Sequence, residues 1–409
     1  MKKYDTIIIG SGPAGLAAAA AASSSGARCL LLEQLPSPGR KLLASGGGKC
    51  NVTNVLSPEE MARAFERGGR FVKPALYEMG SEDICEYFYR RGVPLTLSDG
   101  FHYFPESAKA SDILNALLDD AALHGCEFRY GCRVDGVASE NGAVSGVVVQ
   151  GKTLAASRVI VCCGGRSYSA LGGNGGGYRV AESAGHTVVP PLPAMVGLQC
   201  KEEWVGSCAG IALPDVESRI ALPREKGRCR GELLFTHTGI SAFAVLDISG
   251  RVSELLTRHR IVPMRLDLTP ECSSEEWVAR FKTWQKSSGT VSVSRLLSEF
   301  FPRRLVNILC PQGAVKAAQF PASCRDELVK KITALELNIT ATDGWEKAMV
   351  TRGGVALDEV DPRTLESRII RGLYFAGEVL DVDGPCGGYN ISWALSSGTA
   401  AGKIAGKQT

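Results

Sequence analysis

Three glycines near the start of the chain have the spacing of a phosphate-binding turn. Gly10, Gly12 and Gly15 form a G-x-G-x-x-G pattern directly after an apolar run. In such a turn the first glycine permits a sharp bend, the second lets backbone N–H groups approach a pyrophosphate, and the third lets the next helix pack closely. Pro13 and Ala14 begin that predicted helix, whose positive dipole end favours an anion. The pattern predicts a dinucleotide site.

An acidic residue completes this pattern. Glu33 ends the next apolar run, about 20 residues after the glycines, where a carboxylate can accept a hydrogen bond from a ribose hydroxyl. The carboxylate would repel a 2′-phosphate, which disfavours NADP at this position. Gln34 is assigned to the same site. A glycine-rich turn without a ligand is the alternative, but the strand before and the helix after the turn favour the βαβ interpretation.

A second glycine-rich segment follows, and it offers many hydrogen-bond donors. Residues 39–51 read GRKLLASGGGKCN, which suits a phosphate or a flat ring with polar edges. Cys50 in this segment could be a redox-active thiol or a spectator, that is, a buried cysteine without a role in the chemistry. The chain has no C-x-x-C pair, which favours the spectator. The binding candidates here are Arg40, Lys41, Ser45, Gly46, Gly47, Gly48, Cys50 and Asn51.

Glycine returns at the end of an apolar strand and near the end of the sequence. Gly164 and Gly165 follow the run 159–163, and Gly377-Glu378 follows another short apolar run. A helix is predicted over 391–402 with Asn390 as its N-cap. Its N-terminus would stabilise negative charge on a bound ring. The binding candidates in this part are Gly164, Gly165, Gly377, Glu378, Gly388, Tyr389, Asn390 and Ile391.

Composition narrows the class of protein. A chain of 409 residues is long enough for two or three domains. The 46 basic and 43 acidic residues give a net charge of +3, which is too balanced to favour nucleic acid or an anionic membrane surface. The 14 cysteines are scattered and many lie in apolar runs, which is typical of a reduced cytoplasmic protein. No uninterrupted apolar run is long enough for membrane insertion, and no metal site is predicted.

The order of periodic segments predicts an α/β fold with an insertion. The N-terminal segment 1–191 and the C-terminal segment 341–409 form one nucleotide-binding domain. Between them, residues 192–270 have strand patterns and residues 271–340 have helical spacing. The middle of the chain is therefore predicted as a β-rich domain followed by a helical one.

The motifs together resemble a known family. The fingerprint, the segment 39–51, the run LFTHTGIS at 234–241 and the segment 372–390 are similar to the BaiN-like family of bacterial FAD-dependent oxidoreductases. The resemblance implies a Rossmann-type FAD-binding domain of the glutathione-reductase kind, similar to that of fumarate-reductase flavoproteins, with inserted β-barrel-like and helical domains. It also implies that Val134 contacts the adenine through its backbone. Similar proteins often continue Ser241 with Gly-Pro, whereas this chain has Ala242-Phe243.

Two residues are candidates for catalysis. His237 lies between two threonines in the inserted region and could act as a proton donor or substrate anchor. Its alternative is a structural histidine bonded to a nearby carbonyl. Arg352, beside Gly353-Gly354, could polarise a substrate carbonyl or donate a proton. Its alternatives are a surface arginine and a partner of the FAD phosphates.

The leading functional prediction is an FAD enzyme that passes a hydride from NAD(P)H through flavin N5 to an activated C=C bond of a small organic substrate, such as an enone, steroid or bile-acid-like compound. An FAD-dependent RNA-modifying or RNA-binding protein is an alternative, and the basic run 224–230 is its best support. A disulfide reductase would need a C-x-x-C pair and a second G-x-G-x-x-G fingerprint, and the sequence has neither. A flavoprotein without catalytic activity also stays open. The oligomeric state is not predicted.

Overall fold

The computed structural model describes residues 4–407. Its strands are β1 Tyr4–Ile9, β2 Cys29–Leu32, β3 Thr53–Asn54, β4 Leu95–Leu97, β5 His102–Pro105, β6 Glu127–Arg129, β7 Gly136–Glu140, β8 Ala143–Val149, β9 Lys152–Val161, β10 Val188–Ala194, β11 Leu198–Cys200, β12 Ala212–Ile220, β13 Arg228–Phe235, β14 Gly239–Ser241, β15 Val262–Asp267, β16 Leu335–Thr342, β17 Val350–Val355 and β18 Leu373–Phe375.

The helices complete the element order. They are α1 Pro13–Ser24, α2 Arg40–Ala44, α3 Pro58–Ala64, α4 Gly69–Glu78, α5 Ser81–Tyr89, α6 Ala110–Leu123, α7 Gly176–Ser183, α8 Trp204–Ser207, α9 Phe243–Leu256, α10 Ser274–Ser287, α11 Val293–Leu297, α12 Arg303–Leu309, α13 Ala322–Thr333 and α14 Tyr389–Ala405. Within residues 4–407, no helix combines the length and the apolar character needed to cross a membrane.

The chain forms two compact units. The first unit runs through Leu192 and resumes at Met349, and the second unit is Pro193–Ala348. The division of the second unit into separate β-rich and helical domains at residue 270 stays a prediction.

The first unit contains the predicted Rossmann-type sheet. Strands β6, β2, β1, β9 and β18 pair in that order and all run parallel. The long strand β9 also pairs through its N-terminal half with β8, which continues to β7 in an antiparallel meander. The run β1–α1–β2 confirms the βαβ interpretation of the fingerprint. Because the strands are parallel, their carboxyl ends meet at one edge of the sheet, where open α/β folds bind ligands.

Helices α1 and α14 pack almost backbone against backbone. A Cβ on Gly398 would overlap the carbonyl oxygen of Ala14, and a Cβ on Gly402 would overlap that of Ala18. The contacting residue numbers, 14 with 398 and 18 with 402, increase together along both helices, so the helices are parallel. The alanines of α1 and the glycines of α14 thus join the two ends of the sequence into one core.

The second unit is built on a closed barrel. Strands pair in the order β11-β14-β13-β12-β15-β16. Helices α10 to α13 lie in the sequence between β15 and β16, yet β16 pairs with β15 and β11 and thereby closes the barrel. The predicted barrel-like insertion is confirmed. Trp277 and Phe281 of α10 are buried in the core that barrel and helices share.

Candidate functional site

The G-x-G-x-x-G turn joins the carboxyl end of β1 to α1. Gly10 has φ of +103°, and a Cβ there would lie 2.6 Å from the carbonyl oxygen of Cys162. A Cβ on Gly15 would overlap the carbonyl oxygen of Gly10. A Cβ on Gly12, in contrast, would meet no atom of residues 4–407 within 4 Å. Packing within the chain requires glycine at 10 and 15, whereas Gly12 leaves room for a ligand.

The start of α1 has the features of an anion site. Gly12 is the N-cap, Pro13 occupies the first turn, and the first turn holds neither a capping side chain nor an acidic residue. Ala14 lies against the turn after β18, since a Cβ on Gly377 would be 2.8 Å from the Cβ of Ala14. The backbone N–H groups of this turn therefore meet the edge where the parallel strands end.

Glu33 orders the glycine turn as well as the expected ribose site. One carboxylate oxygen, Oε2, accepts hydrogen bonds from the backbone N–H and the hydroxyl of Ser11 at 2.8 and 2.6 Å. The other, Oε1, accepts from the N–H of Leu35 at 2.8 Å, which leaves one lone pair for a ribose hydroxyl. Gln34 bonds instead to the loop before α7, through the carbonyl of Gly172 and the side chain of Asn174.

Lys41 and Glu378 form an ion pair across the site. Lys41 Nζ lies 2.6 Å from Glu378 Oε2 and 2.6 Å from the hydroxyl of Ser167. Glu378 Oε1 accepts from the N–H of Thr351 at 2.8 Å and from Ser167 at 3.2 Å. Gly165 is needed here, because a Cβ would come within 2.7 Å of Glu378 Oε1. The group connects α2, β17 and the turns that follow β9 and β18.

The segment after Lys41 is an exposed glycine turn above a buried thiol. Arg40 is exposed. Gly46 and Gly47 have φ of +56° and +64°, so the turn needs residues without a Cβ. Cys50 is fully buried, and burial raises the pKa of its thiol to about 12. The thiolate needed for redox chemistry is therefore disfavoured, in agreement with the spectator interpretation.

The remaining residues of this turn complete its framework. The Ser45 hydroxyl donates to the carbonyl of Leu42 at 2.6 Å, and its own carbonyl accepts from the N–H of Cys50 at 3.0 Å. Gly48 has φ of +89°, which also favours glycine. These bonds fold the turn back on α2.

The start of α14 corrects one prediction. The helix begins at Tyr389, its N-cap is Gly388 with φ of +82°, and Asn390 is not the cap. The Asn390 amide instead spans the preceding loop, since it accepts from the N–H of Gly384 at 2.8 Å and donates to the carbonyl of that residue at 2.9 Å. Only glycine fits at 388, because a Cβ would lie 2.7 Å from the carbonyl of Thr53.

The 45–51 segment reaches this same turn. With its amide oriented to satisfy both neighbours, Asn51 donates to the carbonyl of Thr53 at 3.1 Å and accepts from the N–H of Gly388 at 3.3 Å. Ile391, in the first turn of α14, packs on the core. The structure thus brings Asn51, Gly388, Tyr389, Asn390 and Ile391 together.

The two helix N-termini have a spacing that suits FAD. Since Ala14 lies opposite Gly398, the start of α1 is level with residue 397, and α14 starts at Tyr389. At the rise of an α-helix, α14 therefore begins about 12 Å before α1 along the direction that both helices share. One positive helix end can face a pyrophosphate and the other the pyrimidine edge of the flavin, with the ribityl chain between them. The room at Gly12 and this spacing fit the cofactor.

Val134 and Gly164 lie at the same edge of the sheet. Val134 is half-buried, and hydrogen bonds flank it, from the N–H of Cys132 to the carbonyl of Glu33 and from the N–H of Asp135 to that of Val148. Gly164 follows β9 with φ of +67°, and a Cβ there would meet no atom of residues 4–407 within 4 Å. Their contact with FAD stays a prediction.

Arg352 is a buried residue of β17, not a surface arginine. Its guanidinium contacts Asp383 at 3.2 Å and Glu66 at 3.5 Å. Burial raises the pKa of the Asp383 carboxyl, although the positive charge of Arg352 opposes this. The two acids fix the direction of the guanidinium, and its role in catalysis stays a prediction.

His237 belongs to the second unit. It is exposed in the tight turn between β13 and β14, which the hydroxyl of Thr236 closes by accepting from the N–H of Gly239 at 3.0 Å. A few residues on, Ala242 is the N-cap of α9 with φ of +73° and ψ of −175°. Glycine adopts this conformation readily, and alanine is strained in it.

The sequence interpretation missed His102. This residue begins β5, and its Nδ1 lies 2.6 Å from Asp99 Oδ2 in the β4–β5 hairpin. A Cβ on Gly387, just before the N-cap of α14, would lie 3.1 Å from His102 Nε2. An aspartate three residues before a histidine in a turn, Asp99-Gly100-Phe101-His102, was the available signal.

The first unit has the architecture of a Rossmann-type dinucleotide-binding flavoprotein. Its parallel sheet carries a glycine turn, an acidic residue after β2 and two helix N-termini at the carboxyl edge. The family model of the HI0933-like protein Rossmann domain matches residues 4–404. The chain belongs to this family of flavin-dependent oxidoreductases, which confirms the predicted resemblance.

Relatives and solved structures agree with this assignment. The chain is 34% identical to a 3-dehydro-bile acid delta(4,6)-reductase of Clostridium scindens, over 98% of each chain. It is 31% identical to the ribosomal RNA dihydrouridine synthase of Escherichia coli, over 98% of this chain and 97% of the other.

Among solved structures, the fold is similar to a flavocytochrome c3 fumarate reductase, with a TM-score of 0.53 and 17% identity over 99% of this chain and 78% of the other. It is also similar to a 3-ketosteroid-delta4-(5alpha)-dehydrogenase of Rhodococcus jostii, with the same TM-score and identity over 99% and 97%.

Proposed function

We propose that this protein is an FAD-dependent reductase that adds two hydrogens across a C=C bond conjugated to a carbonyl in a small organic substrate, with NAD(P)H as electron donor. The observation that carries the proposal is the pair of parallel helix N-termini, with N-caps Gly12 and Gly388, which would face the pyrophosphate and the ring of FAD. When bound, FAD supplies two-electron hydride chemistry.

The residues of the first unit would divide the binding of FAD between them. The Gly12 turn and α1 would hold the pyrophosphate, and the remaining lone pair of Glu33 would accept from the adenosine ribose. Lys41, oriented by Glu378, would face the phosphates or ribityl hydroxyls as a fixed cation. The turn at Asn51 and Gly388 would meet the pyrimidine edge.

The relatives support the proposed reaction class. The names of the bile acid reductase and the dihydrouridine synthase both describe the addition of two hydrogens across a C=C bond. In a 3-oxo-Δ4 compound and in uridine, that double bond is conjugated to a carbonyl. A chain similar to both over nearly its whole length is therefore best suited to a conjugated C=C bond.

The charges of the second unit favour a small substrate over RNA. Residues 193–348 carry 21 lysines and arginines against 18 aspartates and glutamates. In the basic run 224–230, Arg230 is bidentate to Asp215 at 2.8 and 2.7 Å and also contacts Glu271. A cation already paired with carboxylates has less to gain from phosphate contacts.

Uridine in ribosomal RNA is the second candidate substrate, because two dihydrouridine synthases match at 31% identity. The test incubates FAD-loaded protein with NADH or NADPH and either androst-4-ene-3,17-dione or a ribosomal RNA transcript, and measures two-hydrogen products by mass spectrometry. Reduction of the steroid supports the proposal. Reduction of the transcript alone replaces the small substrate with RNA. No reduced product in either arm contradicts the reaction class.

A further inference from the structure

We propose that His102, oriented by Asp99, is the proton donor to the substrate in this reduction. The inference rests on the function proposed above and adds a catalytic residue to it. The hairpin β4–β5, which carries His102, and the turn that begins α14 both belong to the first unit.

Asp99 holds both the hairpin and the imidazole ring. Its Oδ1 accepts from the N–H groups of Phe101 at 3.1 Å and His102 at 2.9 Å, and its Oδ2 lies 2.6 Å from His102 Nδ1. The hydrogen bonds from the His102 backbone and ring lower the pKa of Asp99 to about 2. An ionised carboxylate only accepts, so Nδ1 carries a proton and Nε2 is the nitrogen free to exchange one.

The exchangeable nitrogen faces the start of α14. A Cβ on Gly387 would lie 3.1 Å from His102 Nε2 and 3.4 Å from the ring of Phe101. The side chain of Asn54 fixes this turn, since it donates to the carbonyl of Gly387 at 2.8 Å. This is the helix end that the FAD fit assigns to the flavin ring, so the imidazole lies where a substrate carbonyl beside the ring can reach it.

The surroundings of the ring suit proton transfer. The ring of Phe101 packs edge-on against His102 with centroids 4.9 Å apart, and the tilted ring of Phe104 has its centroid 6.4 Å away. The His102 side chain is 22% exposed, so water can restore a lost proton. The aromatic contacts and Asp99 hold one ring orientation, which a general acid requires.

In the proposed reduction the substrate gains one hydride and one proton. FAD, when bound and reduced by the nicotinamide, would supply the hydride that forms a C–H bond at the β carbon of the substrate. The π electrons move toward the carbonyl oxygen. The proton on Nε2 of the His102 imidazolium then forms the α C–H bond directly, or it forms the O–H bond of an enol that tautomerises in water to the saturated carbonyl compound. His102 is left as a neutral imidazole whose Nδ1–H still donates to Asp99, and Nε2 takes another proton from water.

A matched pair of variants tests the donor role. His102→Asn removes Nε2. His124→Asn is the control, because within residues 4–407 the His124 ring contacts the backbone carbonyl and the carboxylate of Asp120, far from the turn at Gly387 in the sequence. With FAD bound and reduced anaerobically, we expect His102→Asn to slow reoxidation by an enone about 100-fold or more, the usual size of general-acid catalysis. FAD content, reduction by dithionite and reoxidation by oxygen should stay at wild-type values in both variants.

The outcomes separate the donor role from the proposed function. Wild-type turnover with an unaffected His102→Asn variant overturns the donor role alone. A wild-type protein that no enone reoxidises overturns the proposed function and the donor role with it. Loss of FAD in His102→Asn would be checked with Asp99→Asn, which keeps the imidazole and should still slow enone reoxidation.

A second measurement does not depend on activity. The position of His102 predicts that its ring proton resonances, identified by their loss in His102→Asn, shift when FAD is added to the apoprotein, while those of His124 do not. Unshifted His102 resonances would place the ring away from the flavin and overturn the inference.

Discussion

The Nζ atom of Lys41 lies 2.6 Å from Oε2 of Glu378, although the two residues are 337 positions apart in the sequence. The pair joins α2, in the N-terminal part of the first unit, to the turn after β18, in its C-terminal part. Both side chains are partly buried, with 32% and 19% exposed. The cofactor site therefore depends on contacts between the two sequence segments that the insertion separates.

Glu378→Gln tests this connection. The substitution keeps the shape of the side chain but removes the charge that Lys41 pairs with, and it weakens acceptance from Thr351 and Ser167. We expect a loss of about 1.5–3 kcal/mol of stability, the range for hydrogen bonds to charged groups, measured by thermal unfolding. Glu86→Gln in the exposed Arg90 pair is the control and should change nothing measurable. Equal effects of both variants would contradict the structural role of Glu378.

The fingerprint glycines should separate folding from cofactor binding. Gly15→Ala places a Cβ on the carbonyl of Gly10, so we expect a marked drop in unfolding temperature even without FAD. Gly12→Ala meets only open space in an ordinary backbone conformation, so the apoprotein should keep its unfolding temperature. Its FAD dissociation constant, measured by fluorescence titration, should rise about tenfold or more, which is about 1.4 kcal/mol. Unchanged FAD binding in Gly12→Ala would contradict the pyrophosphate assignment.

Ala242→Gly should stabilise the second unit. The φ of +73° and ψ of −175° cost about 1–3 kcal/mol for a residue with a Cβ, and the entropy cost of glycine recovers only part of that. The expected net gain is about 1 kcal/mol, seen as a higher thermal midpoint. Ala244→Gly, inside α9, is the control with the opposite expected sign. A lower midpoint for Ala242→Gly would show that the residue is not strained.

The buried His186 predicts a pH dependence. Burial lowers the pKa of His186 below its ordinary value of 6.5, although Glu359 opposes the shift. The unfolded chain therefore binds a proton at a pH where the native state does not, and this contribution to stability is lost as pH falls from 6.5 toward the lower native value. The thermal midpoints of the wild type and of His186→Gln would be measured from about pH 7 to about pH 5. The midpoint of the wild type should fall more steeply with decreasing pH than that of the variant. A steeper fall for the variant would contradict the account.

Local patterns predicted the elements whose signal lies within a few residues. The apolar runs and glycines around Gly12 specify strand, turn and helix directly, and the whole βαβ unit followed from them. The start of α14 did not follow, because Asn390 is a common N-cap residue and only the packing of Thr53 against position 388 shows that glycine must occupy that place.

Contacts between residues far apart in the sequence could not be predicted from the sequence alone. Nothing near Lys41 indicates Glu378 as its partner, and Glu33 was assigned to a ribose without any sign that Ser11 would use one of its oxygens. His102 was missed because its importance comes from the turn at Gly387, which is 285 residues away. Such pairs become visible only when the fold places them together.

The most direct test of the account is the visible spectrum of the FAD-loaded protein, recorded anaerobically before and after NADH or NADPH and then after an enone. The account predicts that the flavin band disappears with a nicotinamide and returns with the enone. A protein that does not bind FAD, or whose reduced flavin no compound with a conjugated C=C bond reoxidises, would contradict it.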